Sequence, residues 1–313
     1  MRFRARDLAV HAATSDRIAA AVAKLPPARE IAASYVAGRT LDQAVATATD
    51  AVDKGLEVSL HPLAREAETP QMAEQATVQL LETTAALGAD PELAPHAEVS
   101  IALSTLGIGL AEDGPQVALA NAQRICREAR NAGVLVTVAD ERPETHDQVL
   151  DAVRSLLADF PDTGVVVQAA RHDSLDQIRE LSAAGRRIRL CKGDYTGPRE
   201  EMVVSPHDVD LRMAACLRTL LQGPATALIA THDPVFIAIA ERLIADLNRG
   251  PHNVEFQMLQ GIRPFEQRRL ADIGHKVRVY LPWGSDWYSY CTRRIIERPA
   301  NLLLFSRSLV VRR

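Results

Sequence analysis

Eight short apolar runs, alternating with segments of helical period from residue 56 onward, constrain this chain more than any other feature. They are 56–61, 98–103, 134–139, 164–169, 187–192, 226–231, 254–259 and 277–281. Each is rich in Val, Ile and Leu and too short for a stable helix, which suits a strand covered on both faces. Between them, stretches such as 117–125 and 236–244 repeat apolar residues every three to four positions. Eight strand and helix units in series predict a (β/α)8 barrel, and 313 residues is a length such a barrel occupies as one unit.

Glycines precede several of the strands, and Gly55, Gly133, Gly164, Gly185 and Gly274 are expected to cap helix C-termini. Polar and charged residues gather just after the strand ends, where the loops of this fold build active sites. The first 55 residues carry two or three amphipathic segments broken at Pro26-Pro27 and Gly38, and so predict a helical extension, 1–55, ahead of a barrel, 56–313. Arg2, Arg4 and Arg6 suit a solvated helix face better than a membrane-surface helix.

Apolar residues make up 47% of the chain, enough for a large core, and a net charge of -4 with interspersed signs leaves no nucleic-acid footprint. A small-molecule partner is expected. Cys126, Cys191, Cys216 and Cys291 form no C-x-x-C pair, which fits a reducing cytoplasm better than a disulfide framework or a zinc site. No apolar stretch is long enough to span a bilayer, and the first residues lack the apolar core of a secretory signal. Gly107-Ile-Gly109 has the wrong continuation for a dinucleotide fingerprint, the nine histidines form no H-x-x-x-H, and no G-x-S-x-G occurs. Rossmann, metal and serine-hydrolase chemistry are therefore not expected.

Four strand ends carry chemistry. The last strand runs through Tyr280 to Pro282 and turns at Trp283-Gly284 into a helix bearing Arg293-Arg294, a pair able to grip a carboxylate in bidentate fashion. Strand five ends in Arg189-Leu190-Cys191-Lys192-Gly193. Alternation puts Arg189 and Cys191 on one face and Leu190 and Lys192 on the other, and the two cations suit either a phosphate or flavin partner or an internal salt bridge. Strand six ends in Thr231-His232-Asp233-Pro234, where the histidine is a ligand contact or a local hydrogen-bonding group. Strand four ends in Gln168, whose amide contacts a ligand or bridges internally.

With these residues in view the chain resembles the monofunctional bacterial proline dehydrogenases, over roughly residues 55 to 312. The segments that carry the resemblance include Val165-Val-Val-Gln168-Ala, Arg189-Leu-Cys-Lys-Gly193 with Tyr195, Ala230-Thr-His-Asp-Pro234, Glu255-Phe-Gln-Met-Leu259 with Gly261-Ile-Arg263, and Val277-Arg-Val-Tyr280 through Arg293-Arg294 to Asn301. The resemblance implies a distorted (β/α)8 barrel holding FAD over its mouth. Gln168, Arg189, Lys192, Gly193, Thr231 and His232 match the family's flavin contacts, with Arg189 near the reactive edge of the ring. Arg293 and Arg294 match the carboxylate clamp, while Tyr280, Tyr195 and Leu259, with Tyr290 nearby, match the walls around the pyrrolidine ring. Arg189, Tyr280, Arg293 and Arg294 are the residues on which catalysis would then rest. The implied reaction is oxidation of L-proline to 1-pyrroline-5-carboxylate with electrons passed to a quinone, in the cytoplasm or at the inner face of the membrane.

The chain departs from the family in its charges. The family's aspartate on strand three falls at Ala139 and its partner lysine on strand two at Ala102, so both members of an ion pair are absent. Replacing both by apolar groups is compatible with folding, whereas removing one is not. The acid in the family's Leu-Gly-Glu is Arg65 here, and Asp140 or Glu141 replaces the missing carboxylate only if a bulge shifts the register. These departures leave two alternatives: a flavin-dependent dehydrogenase of another cyclic or N-substituted amino acid, or a catalytically silent ligand-binding homologue.

Overall fold

The computed structural model describes residues 34–139, 145–193, 197–287 and 290. Its elements are α1 (Leu41–Asp53), β1 (Glu57–Pro62), α2 (Pro70–Gly88), β2 (Ala97–Ile101), α3 (Gly114–Ala132), β3 (Leu135–Val138), α4 (His146–Asp159), β4 (Gly164–Gln168), α5 (Ser174–Ala183), β5 (Arg187–Cys191), α6 (Pro206–Gln222), β6 (Thr226–Ala230), α7 (Pro234–Asp246), β7 (Val254–Leu259), α8 (Pro264–Asp272) and β8 (Lys276–Trp283). The strands form a closed barrel in sequence order, every pair parallel. All eight expected strands are present, with ends moved by a residue or two. β8 meets β1 from Glu57↔Arg278 to Pro62↔Trp283, which removes any open sheet edge.

Strand alternation divides the side chains between two environments. Val58, Leu60, Val99, Ile101, Leu190 and Phe256 point outward into the layer between strands and helices and are fully or almost fully buried. Each such side chain stabilises the fold by roughly 1.5–3 kcal/mol. The inward positions are unusually polar: Glu57, Ser59 and His61 on β1, Glu98 and Ser100 on β2, Arg187 and Arg189 on β5, Glu255 and Gln257 on β7, Arg278 and Tyr280 on β8.

Several helices begin with a capping side chain and a proline whose absent N–H costs nothing there. Thr69, Ser205 and Asp233 each accept from a backbone N–H of the first turn, and Pro70, Pro206 and Pro234 follow them. Gly55, Gly133, Gly185 and Gly274 have positive φ near the helix ends, as their positions predict. Gly164 does not: it is the first residue of β4, and a Cβ there would collide with the Thr137 side chain. Its missing side chain serves the barrel interior, not a helix end.

α1 packs against both β1 and β8, with Ala44 and Ala48 in the main core. It closes the helix layer beside the seam where the last strand meets the first. Ala37 N–H donates to Pro282 O and Gly284 N–H to Gly38 O, tying the segment before α1 to the end of β8.

Candidate active site

A buried ion network fills the lower and middle barrel. Glu98 is completely buried and receives Arg189 Nη2 at 2.6 Å, Arg187 Nη2 at 2.8 Å, and the Ser59 and Thr137 hydroxyls at 2.7 Å each. Burial alone would raise its pKa, but Arg189, Arg278, Arg187 and the Thr137 hydrogen bond outweigh burial and hold it well below the usual carboxylate range. Glu255 takes Arg278 in bidentate fashion, from Nε at 2.7 Å and Nη2 at 3.0 Å. Its pKa is likewise lowered, burial opposing and Arg278 prevailing. Unpaired charge at this depth would cost several kcal/mol per ion, so the network is close to all or none.

Beyond the internal salt bridge open to Arg189, the sequence predicts none of this network's partners, although a signal exists. Charged and amide side chains recur at every second residue of strands that otherwise look covered on both faces, as in Glu255-x-Gln257 and Arg187-x-Arg189. Period two marks them as one inward-facing set.

Strand five behaves as alternation predicts. Leu190 enters the helix layer with no exposure, while Arg189 points inward to Glu98 and to Gln257, which accepts from its Nε. The Arg189 guanidinium also lies 5.9 Å from the Tyr280 ring centroid. Lys192 reaches the other way, pairing with Asp210 at 2.7 Å and Asp233 at 3.0 Å and standing 4.5 Å from the Phe236 ring centroid. Both cations thus take internal ion pairs, the arginine under the mouth and the lysine on its flank.

Above the network the strand ends form a polar ledge. Gln168 is buried at the end of β4, and Gly193, with φ of 104°, sits so close that a Cβ would lie 2.5 Å from its Oε1. The bare backbone at this point lets a flat ligand lie against the ledge. Next to it, Thr231 Oγ1 accepts from Asp233 N–H at 3.2 Å. His232 Nε2 accepts from Leu259 N–H at 2.8 Å, which ties the β6 loop to the end of β7 and places the neutral imidazole's proton on Nδ1. The loops after β4 and β5 are laced together by Ala170 N–H to Lys192 O and Val203 N–H to Ala170 O.

Across the mouth, Leu259 and Tyr280 are register neighbours at the ends of β7 and β8. The Tyr280 ring stacks on His61, centroids 5.5 Å apart and planes at 27°. Ile101 pairs with Val138, and Ala139 N–H donates to Ile101 O at 2.8 Å, so Ala102 and Ala139 sit side by side just past the ends of β2 and β3. Arg65 Nε lies 3.7 Å from Asp286, beyond the Gly284 turn, and Tyr290 N–H donates to Asp286 O at 3.3 Å. Tyr195, Arg293, Arg294, Asp140 and Glu141 lie outside the described residues. No cluster of three or more metal-ligating side chains occurs among the described residues.

A closed parallel barrel with a polar, glycine-bearing mouth above a buried ion network defines a small-molecule site at the strands' C-terminal ends. The proline dehydrogenase family model matches residues 44–306. Proline dehydrogenase 1 of Bacillus subtilis strain 168 is 34% identical over 268 residues, covering 85% of this chain and 86% of that protein. The proline dehydrogenase of Deinococcus radiodurans is 32% identical over 276 residues, 87% of each. This chain belongs to the proline dehydrogenase family. Among solved structures, proline utilization A from Bdellovibrio bacteriovorus, inactivated by N-propargylglycine, matches with a TM-score of 0.79 at 19% identity. That match covers 86% of this chain and 32% of the larger protein, and it speaks for the fold.

Proposed function

We propose that the chain is an FAD-dependent dehydrogenase that oxidises L-proline to 1-pyrroline-5-carboxylate. The observation that carries the reading is the ledge at the ends of β4, β5 and β6, in a chain of this family. Gln168, Gly193, Thr231 and His232 stand at the ends of adjoining strands, and the absent side chain of Gly193, whose Cβ would lie 2.5 Å from Gln168 Oε1, leaves the ledge bare at that point. These residues fit an isoalloxazine edge, which needs donors, acceptors and a close backbone. Arg189 and Lys192 complete the set: Arg189 is held on Glu98 at the level below, and Lys192 between α6 and α7.

Bound FAD would supply a two-electron acceptor. Tyr280 and Leu259 would wall the pyrrolidine ring, joined by Tyr195 and Tyr290, and Arg293 with Arg294 would grip the carboxylate. That grip orients the substrate, and enclosure by the aromatic walls keeps water from the imine product. The Ala102 and Ala139 methyls make the β2–β3 side of the pocket apolar. A quinone would remove the electrons, and the reaction would belong to the cytoplasm or its membrane face. Among the described residues no helix is long and apolar enough to cross a membrane.

The test is turnover of the FAD-loaded protein with L-proline and a soluble quinone, with the imine product trapped by o-aminobenzaldehyde. A proline-dependent adduct supports the reading. Its absence at saturating proline overturns it.

A further inference from the structure

Arg263 breaks three local rules at once. Among the described residues other than glycine, positive φ occurs at Asp113 (51°), Asn248 (50°) and Arg263 (51°). Aspartate and asparagine enter the left-handed region readily because their short polar side chains bond to nearby backbone, whereas arginine has no such compensation. Arg263 is also the N-cap of α8 and makes no side-chain cap bond there, although Thr69, Ser205 and Asp233 fill the same position on other helices with a capping oxygen. Its cation, moreover, stands at the positive end of the helix dipole. A residue held against backbone, cap and dipole preferences together points to a use beyond its own helix.

The contacts of the side chain show what it holds. Arg263 Nη1 donates to His232 O at 2.9 Å, while the acid on its own helix, Glu266, is farther off at 3.7 Å and already taken by Arg269 at 2.7 Å. The His232 ring is gripped from the same segment, since its Nε2 accepts from Leu259 N–H at 2.8 Å. Residues 259 to 263 thus bracket one residue of the ledge by both its ring and its main chain. Gln267, 5% exposed on α8, steadies the bracket by donating to Leu259 O at 3.0 Å and to Ile262 O at 2.9 Å. On the other side of His232, Asp233 accepts from Val235 N–H and from Lys192 Nζ, both at 3.0 Å. The β6 loop is therefore fixed toward α7 by Asp233 and toward β7 by Arg263.

We infer that Arg263 is a positioning residue of the proposed flavin site, acting through His232. The guanidinium fixes the peptide that carries the imidazole, so the ledge meets the cofactor already ordered. Preorganisation of this kind strengthens binding, because a residue in place has less freedom to lose, and differences of this sort appear mainly in the rate of release. The inference rests on FAD binding at this mouth. It gives a role to a residue outside the set that matches the family's flavin contacts.

Arg263→Asn suits both the left-handed turn and the N-cap but is too short to reach His232 O, and Arg263→Gly removes the backbone strain without supplying a cap. Release of FAD from the holoenzyme, followed by the fluorescence of flavin freed on dilution, should quicken about 10-fold in both variants, the scale of one lost hydrogen bond from a charged donor. In a His232→Ala background the Arg263→Asn change should add no more than about twofold, because the ring it positions is gone. Release as slow as the parent's in both variants would overturn the inference, and so would full additivity with His232→Ala. Loss of the fold in both, seen by circular dichroism, would make Arg263 a structural residue and overturn it as well. A parent that retains no FAD would instead sink the proposed function, and this inference with it; a parent that holds FAD with an indifferent Arg263 rejects the positioning role alone.

Discussion

Glu98 and Gly193 show how single residues set this site, one by charge and one by the absence of a side chain. Glu98 collects two guanidiniums and two hydroxyls at the barrel's centre, and Arg189 owes its place under the mouth to that carboxylate. Glu98→Ala should destabilise the protein by about 3–5 kcal/mol, as expected when one partner of a buried pair is lost, measured by urea unfolding. A variant as stable as the parent would show that the network does not anchor the barrel. Gly193→Ala forces a side chain at φ of 104° against Gln168 and should cost about 1–3 kcal/mol, with weaker retention of FAD on gel filtration.

At the scale of elements, α1 and the strand-end loops matter most. α1 lies over the seam of β8 and β1, and Ala48 faces that seam with no exposure. Ala48→Glu should lower stability by about 3 kcal/mol or more in thermal unfolding, because a carboxylate would be buried without a partner. The eight strands were legible because covered strands need continuous apolar runs, and the helix-capping glycines because positive φ favours glycine. Gly164 was misread because a glycine needed for clearance against Thr137 looks, in sequence, like one needed for a cap. At the candidate site, the strand-end positions of Arg189 and Gln168 were legible from apolar runs and alternation, whereas Tyr280 entered only through the family resemblance. The partners of Arg189 and Lys192 were not legible, since Glu98 lies across the closed barrel on β2 and Asp210 on α6, beyond the loop that follows β5.

Across the whole molecule, buried carboxylates held by arginines make stability depend on acid. Glu98 and Glu255 both have lowered pKa values in the fold, while unfolded glutamates titrate near 4.3. Below about pH 4.3 the unfolded chain therefore binds protons that the folded chain refuses, so stability is full above that pH and falls as pH drops. Urea midpoints from pH 7 to pH 3 should decline mainly below pH 5, and a flat series would contradict the network's ionised state. In the proposed function a flavin lies over the barrel mouth and is reduced by proline. The most direct measurement is the anaerobic absorption spectrum of the purified protein before and after L-proline. A flavin band that bleaches on addition is the predicted result; a flavin band unchanged by high proline would contradict the account.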